Sequence, residues 1–227
     1  MRTVQLFATC LGDLLFPDAV ADAESLLRQA GFEVVFPAGQ VCCGQPAFNS
    51  GHRAAARRVA RTVARAFSHD VPVVTPSGSC AAMLKLHLPE LVGCEPFDVW
   101  ELSAFLDANG VDLPQRNAGR RVAYHDSCHM SRELGIVDPP RRLLERSGAT
   151  IVQLPRPDLC CGFGGTFCVR QPEVSLAMAD DKLAGAVGVD ALVSSDPGCL
   201  FNLRGRAERT GGPLVVHLAT ALARGVG

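Results

Sequence analysis

The sequence predicts an α/β protein of two pseudo-symmetric duplicated halves, each a mainly parallel sheet flanked by helices, with cysteines at the carboxyl-terminal edge of the strands. Three observations carry this expectation. Eight of the ten cysteines form two copies of one template: Cys10, Cys42-Cys43 and Cys80, then Cys128, Cys160-Cys161 and Cys199. The copies stand 118 residues apart, or 119 at the last member. A period near half of 227 residues indicates a duplication rather than a solenoid, whose units are shorter. Short apolar segments alternate with amphipathic ones in the same order in both copies. The stops also recur, Pro155 lying 118 residues after Pro37.

In the first half, Thr3–Thr9 reads as a short apolar strand ending at Cys10. Asp18–Ala30 has helical spacing, with Ala19, Ala23, Leu26 and Leu27 on one face and Gly31 as its stop. Phe32–Phe36 is a second strand, and the loop beyond Pro37 holds Cys42-Cys43-Gly44. A long helix covers His52–Phe67, and Val71–Thr75 is a third strand. Pro76-Ser77-Gly78-Ser79 then turns the chain into Cys80 and a further helix. The second half repeats the order. Arg121–His125 runs to Cys128, Pro139–Ser147 is helical with Gly148 as its stop, and Thr150–Leu154 is a strand. The Cys160-Cys161-Gly162 loop, a helix over Pro172–Ala186 and the strand Asp190–Ser194 lead to Cys199. Strands alternating with helices imply right-handed βαβ units. The halves are expected at residues 1–110 and 119–227, joined near Leu106–Gly119, where Asn109-Gly110, Pro114, Asn117 and Gly119 weaken regular structure.

The chain is 48% hydrophobic and 20% charged, enough to bury a core and too apolar for a disordered segment. A net charge of −1 gives no general attraction to nucleic acid or to a membrane surface, and no apolar run reaches the length of a membrane span. The opening apolar stretch is short and Asp13 follows it, which is not a signal-peptide layout. A cytoplasmic location is therefore expected, where structural disulfides are rare. Adjacent cysteines hold their Cα atoms ~3.8 Å apart, below the ~4.4 Å lower limit usual for a disulfide, so neither Cys-Cys pair bridges without strain.

Each template cysteine lies at or just beyond the carboxyl end of a strand, where open α/β sheets place ligands. Helices starting there offer unpaired N–H groups to an anionic thiolate-bound group. Four thiols at one place suit a metal or an iron–sulfur cluster, one in each half. The ligands expected are Cys10, Cys42, Cys43 and Cys80, then Cys128, Cys160, Cys161 and Cys199. Around a filled cubane their sulfurs are expected ~6–7 Å apart, with metal–thiolate bonds near ~2.3 Å. Cys94 and Cys168 have no partner at the repeat offset and read as small buried hydrophobes, Cys168 also lying in the Gly-rich loop after Cys161. His125 and His129 flank Cys128; they read either as proton carriers and tuners of a cluster or as a strand end and a turn cap. Ser77 and Asp196, three residues before Cys80 and Cys199, read as caps before oxygen ligands. Gly162-Phe163-Gly164-Gly165 lacks the spacing of a nucleotide loop and reads as backbone shaped for close approach. Arg53, Arg57, Arg61 and Arg65 make a basic stripe, read first as a solvated helix face and second as a dock for an acidic partner.

Two copies of Cys–(31 residues)–Cys-Cys-Gly–(about 36 residues)–Cys resemble the cysteine-rich CCG domain family, which includes the CCG-containing component of heterodisulfide reductase and iron–sulfur subunits of glycolate and glycerol-3-phosphate oxidising enzymes. Longer runs are similar to its lactate utilization protein A branch. They are Cys42-Cys43-Gly44-Gln45-Pro46-Ala47-Phe48-Asn49-Ser50-Gly51, Pro76-Ser77-Gly78-Ser79-Cys80, Tyr124-His125-Asp126-Ser127-Cys128-His129, Arg132-Glu133-Leu134-Gly135-Ile136 and Cys160-Cys161-Gly162-Phe163-Gly164-Gly165-Thr166-Phe167. In heterodisulfide reductase the last element is Cys-x-x-Cys; here a fifth thiolate is missing from each half, and four suit one [4Fe–4S] cubane. The resemblance implies a non-autonomous electron-transfer subunit of a multi-protein iron–sulfur oxidoreductase, oxidising L-lactate to pyruvate alongside other lactate-utilization subunits, with a small 2-hydroxy acid as a possible substrate. The alternatives are a glycolate or glycerol-3-phosphate oxidase-type subunit and, from another class, a structural zinc protein with two Cys₄ sites. No flavin or nicotinamide fingerprint is present, so a partner or the cluster site itself would handle the substrate.

Overall fold

The computed structural model describes residues 2–227; Met1, counted above in the first half, lies outside them. The chain divides between Val111 and Asp112 into two compact units.

The first unit contains a four-stranded parallel sheet: β1 (Arg2–Leu6), β2 (Phe32–Val35), β3 (Val73–Thr75) and β4 (Val99–Glu101), in the order β2-β1-β3-β4. The second contains β5 (Arg121–Tyr124), β6 (Thr150–Val152), β7 (Ala191–Ser194) and β8 (Leu214–His217), in the order β6-β5-β7-β8. All pairings are parallel, and the two sheets share one topology. The central pairs match residue for residue: Leu6 faces Val74 in one sheet and Tyr124 faces Val193 in the other. The duplicated α/β architecture is thus present in full.

The fourth strand of each sheet, β4 and β8, has no counterpart in the sequence reading. β4 is three residues long, too short for an alternating pattern, and its strand character comes from pairing Val99 with Val73. Each of these strands ends in a residue that caps the next helix. Glu101 accepts the Ser103 and Ala104 amides at 2.8 and 3.3 Å, and His217 accepts the Ala219 amide at 3.0 Å.

The main helices form where the apolar spacing and the stops put them: Pro17–Gln29, Arg53–Ala66, Asp138–Arg146 and Pro172–Ala184. The first buries Ala19, Ala23, Leu26 and Leu27 and is closed by Gly31 at φ +86°. The core of each unit lies between helices and sheet, with Val4, Leu6 and Val74 in one and Val122, Leu192 and Val193 in the other fully buried. In the second unit Asn117 is buried with its side chain fully engaged. It donates to Ser147 Oγ and the Ala221 carbonyl, both at 2.8 Å, and accepts from the Val226 amide at 3.0 Å.

A candidate metal centre in each half

A parallel sheet ordered β2-β1-β3-β4 has its topological switch between β1 and β3, and a crevice opens at their carboxyl ends. Cys10 follows β1 and Cys80 follows β3; Cys128 and Cys199 follow β5 and β7 in the same way. Local chemistry fixes each of these turns. Thr9 caps the helix Cys10–Leu15 by accepting the Gly12 amide at 2.9 Å. Ser77 caps Gly78–Ala82 by accepting the Cys80 amide at 3.2 Å, and Asp196 caps Pro197–Thr210 by accepting the Gly198 amide at 3.2 Å. Cys10, Cys80 and Cys199 therefore stand in first helical turns, where free N–H groups favour negative sulfur.

The adjacent cysteines reach these turns from the loops after β2 and β6. In both loops a glycine with positive φ folds its own amide back onto sulfur. Gly44, at φ +90°, donates to Cys42 Sγ at 3.4 Å; Gly162, at φ +85°, donates to Cys160 Sγ at 3.4 Å. The first loop is tied down by Gln40, which accepts the Ala8 amide at 3.0 Å, and by Gln45, which donates to the Ser79 carbonyl at 3.0 Å. The second is tied by Asn202, which donates to the Cys161 carbonyl at 2.7 Å. Lys182 adds to this by donating to the Arg156 and Pro157 carbonyls at 2.8 and 2.9 Å.

In the first half, Cys10 Sγ lies 3.5 Å from Cys42 Sγ, and Cys80 Sγ lies 3.4 Å from Cys43 Sγ. Cys42 also interacts with the Cys43 thiol, so the four form one chain of sulfurs. The second half repeats the chain through Cys128, Cys160, Cys161 and Cys199. Each set has an inner, buried pair, Cys43 with Cys80 and Cys161 with Cys199. Its outer pair is more accessible. The two separations are shorter than those around a filled cubane and correspond to thiol–thiol hydrogen bonds.

The thiols do not share charge equally. Cys42 is held far below the ordinary thiol range because it accepts hydrogen bonds from Cys10, from Cys43 and then from the Gly44 amide. Cys160 is lowered likewise by Cys128, Cys161 and Gly162. The hydrogen bond to Cys42 and burial push Cys10 up; the hydrogen bonds to Cys42 and Cys80 push Cys43 up. Each set therefore yields one thiolate readily and resists the next. Only a bound cationic centre offsets repulsion among four sulfur anions this close. The donor set, its burial and the amide-lined rim fit a thiolate-bound metal or iron–sulfur group.

The pattern of the Cysteine-rich domain (CCG) family matches residues 4–85 and again residues 122–204. The chain belongs to this cysteine-rich family. Among curated proteins, lactate utilization protein A 2 of Bacillus cereus (strain Q1) is 39% identical over 238 residues, covering 98% of each chain. Lactate utilization protein A of Geobacillus kaustophilus (strain HTA426) is 42% identical over 234 residues, covering 96% of this chain and 98% of that one. Among solved structures, Picrophilus torridus aspartate racemase aligns over all of this chain and 93% of its own, with 10% identity and a TM-score of 0.39, too distant to carry an argument.

Several residues outside the cysteine-rich template take defined places. Cys168 donates to the Gly165 carbonyl at 3.2 Å and takes no part in the sulfur chain. Cys94 is half-buried in the loop before β4. His129 Nδ1 pairs with Glu133 at 2.5 Å along one helical turn. The Arg53–Arg65 stripe is exposed, with Arg53 over the Phe48 ring at 3.6 Å and Arg57 donating to the Leu91 carbonyl at 3.0 Å. His69 stacks on Phe97, and His87 lies tilted against Phe48.

Lys182 and the Arg141–Asp126 pair escaped the sequence reading. Arg141 holds both oxygens of Asp126 at 2.8 Å and lies over the Tyr124 ring. The apolar burial pattern of each helix conceals such a charge until its partner is known. Among the described residues no helix is long and apolar enough to cross a membrane.

Proposed function

We propose that this protein is an iron–sulfur electron-transfer subunit of a multi-protein oxidoreductase that converts L-lactate to pyruvate. The observation that carries this reading is the convergence of four thiols at the same sheet edge in each half, within a family whose similar members are named for lactate utilization. Cys10, Cys42, Cys43 and Cys80 would hold one group; Cys128, Cys160, Cys161 and Cys199 would hold the other. A [4Fe–4S] group supplies one-electron transfer. Oxidising a 2-hydroxy acid to a 2-oxo acid releases two electrons and two protons, so two one-electron centres suit a two-electron donor.

The chain's own residues serve that role in recognisable ways. The inner cysteines lie away from water, which lowers the reorganisation that accompanies a change of charge. The outer cysteines reach the surface, where a partner protein can approach. The Gly44 and Gly162 amides direct N–H dipoles at sulfur and stabilise the reduced, more negative state. Hydrogen transfer from the substrate belongs to a partner protein and its organic cofactor.

Anaerobic purification with iron and sulfide counts tests this directly. The expected product is brown, absorbs broadly in the visible and bleaches on reduction. Cys43→Ser and Cys161→Ser should each lose about half of the iron, and Cys94→Ser should lose none. The isolated chain should not oxidise L-lactate until lactate-utilization partners are added. A colourless protein holding two zinc ions and no sulfide would instead establish the structural zinc reading.

A further inference from the structure

The two sulfur chains are built alike, but their surroundings differ. His125 leaves the end of β5 with its amide donating to the Val193 carbonyl at 2.8 Å. Phe7 leaves β1 in the same way, donating to the Val74 carbonyl at 2.9 Å. The two residues are thus structural counterparts. Phe7 is fully buried and packs on the Phe67 ring, with centroids 5.6 Å apart; at the repeat offset from Phe67 stands Gly185. His125 is also fully buried, and neither ring nitrogen has a hydrogen-bond partner. Burying an imidazole in that state gives up the hydrogen bonds water would make to both nitrogens, a cost the first half avoids with a phenyl ring. A ring nitrogen of His125 and the sulfurs of Cys161 and Cys199 all lie within 4.8 Å of one another. Charged side chains cluster here as well. Lys182 acts on His125, and Asp196 acts on Cys128 and Cys199; the corresponding first-half positions carry Ala64 and Ser77.

We propose that His125 is a ligand of the group held by the second cysteine set, binding through a ring nitrogen beside Cys161 and Cys199, so that the two halves hold chemically unequal centres. The inference deepens the iron–sulfur reading and rests on it for the identity of the group. Ligation gives one of the two buried ring nitrogens of His125 a partner and brings the second half to five candidate donors. The first half, with Phe7 in that place, has four. Five donors exceed the four ligand positions of a cubane, so His125 would take the place of one thiolate at an iron, and that exchange raises the potential of an iron–sulfur centre. The second centre would then sit downhill of the first, giving electrons a direction through the chain.

The test uses the full chain with ¹⁵N-labelled histidine, loaded anaerobically with iron and sulfide and half-reduced, in pulsed electron paramagnetic resonance. One centre should show a strongly coupled nitrogen that disappears in His125→Phe, a variant that copies Phe7 and keeps a buried ring. Circular dichroism checks that this variant is folded. A parallel sample loaded with ¹¹³Cd alone should give an all-sulfur resonance and a second resonance split by ¹⁵N. Only weak, hydrogen-bond-like nitrogen couplings in the unaltered protein, two all-sulfur cadmium resonances, or a strong coupling that survives in His125→Phe would overturn the proposal. If the chain holds cadmium or zinc but no sulfide, the iron–sulfur reading fails and the cadmium splitting still decides the role of His125. If it holds iron and sulfide with no strongly coupled nitrogen, the inference about His125 fails alone.

Discussion

Replacing Gly162 with alanine tests how the second cysteine loop is held in place. Gly162 has φ +85°, a conformation that costs an L-residue about 1–2 kcal/mol. A Cβ there would lie 2.4 Å from the Ser175 carbonyl oxygen, and 3.2 Å from both Met178 Cβ and Asn202 Nδ2. The carbonyl is backbone within the helix Pro172–Ala184 and cannot swing aside, so relieving the overlap adds roughly 1–3 kcal/mol. Moving Asn202 would also strain its 2.7 Å bond to the Cys161 carbonyl, worth about 0.5–1.5 kcal/mol. The total is about 3–6 kcal/mol, a large share of the roughly 5–15 kcal/mol typical of a folded domain.

Two controls separate space from backbone strain. Gly165, at φ +65°, has nothing within 4 Å of its added Cβ, and Gly44, at φ +90°, meets only Val59 and the Ala56 carbonyl at ordinary contact distance. Each should cost about 1–2 kcal/mol as alanine. The assay is urea unfolding of the reduced, metal-free chain, followed by circular dichroism and by the fluorescence of Tyr124, which lies in the second unit. Trp100 fluorescence reports the first unit. A Gly162→Ala cost within about 1 kcal/mol of that for Gly165→Ala would refute the steric argument built on the Ser175 carbonyl.

Other consequences follow from the buried charges and caps. Arg141→Ala should destabilise the second unit by about 3–5 kcal/mol in urea, because it leaves the Asp126 carboxylate buried without its partner; a loss below about 1 kcal/mol would mean that water reaches Asp126. Burial lowers Lys182 from the ordinary 10.5 to about 8. The folded chain therefore gives up this proton at lower pH than the unfolded chain, and this residue makes stability rise from about pH 8 to 10.5. Lys182→Met should remove that rise in paired unfolding curves, and an unchanged difference between variant and parent across those pH values would count against it. Ser77→Ala and Asp196→Ala should each cost about 0.5–2 kcal/mol as lost helix caps while iron content is retained, whereas loss of iron would make either residue a ligand.

Much of the molecule is legible in the sequence because the deciding signals are local or periodic. Strand and helix assignments follow from apolar spacing and from stops such as Gly31 and Pro37, and the duplication follows from the 118-residue offset alone. The glycine after each Cys-Cys pair also marks its own purpose, since only glycine easily takes the positive φ that turns an amide onto the sulfur two residues back. The fold then brings together cysteines from separate strand ends at an edge that the βαβ pattern already implies.

What only the tertiary structure decides is which edges and which buried groups meet. Strands β4 and β8 exist because β3 and β7 offer them an edge, not because their few residues prefer extended backbone. The sequence marks His125 only as a flank of Cys128; its buried, unpartnered ring near Cys161 and Cys199 appears only once β5, β7 and the Cys-Cys loop are assembled. Lys182, on a helix 57 residues further along, becomes its electrostatic neighbour by the same assembly. Burial and long-range electrostatics depend on which surfaces meet, and residues far apart in the chain carry no mark of one another until packing removes the water between them.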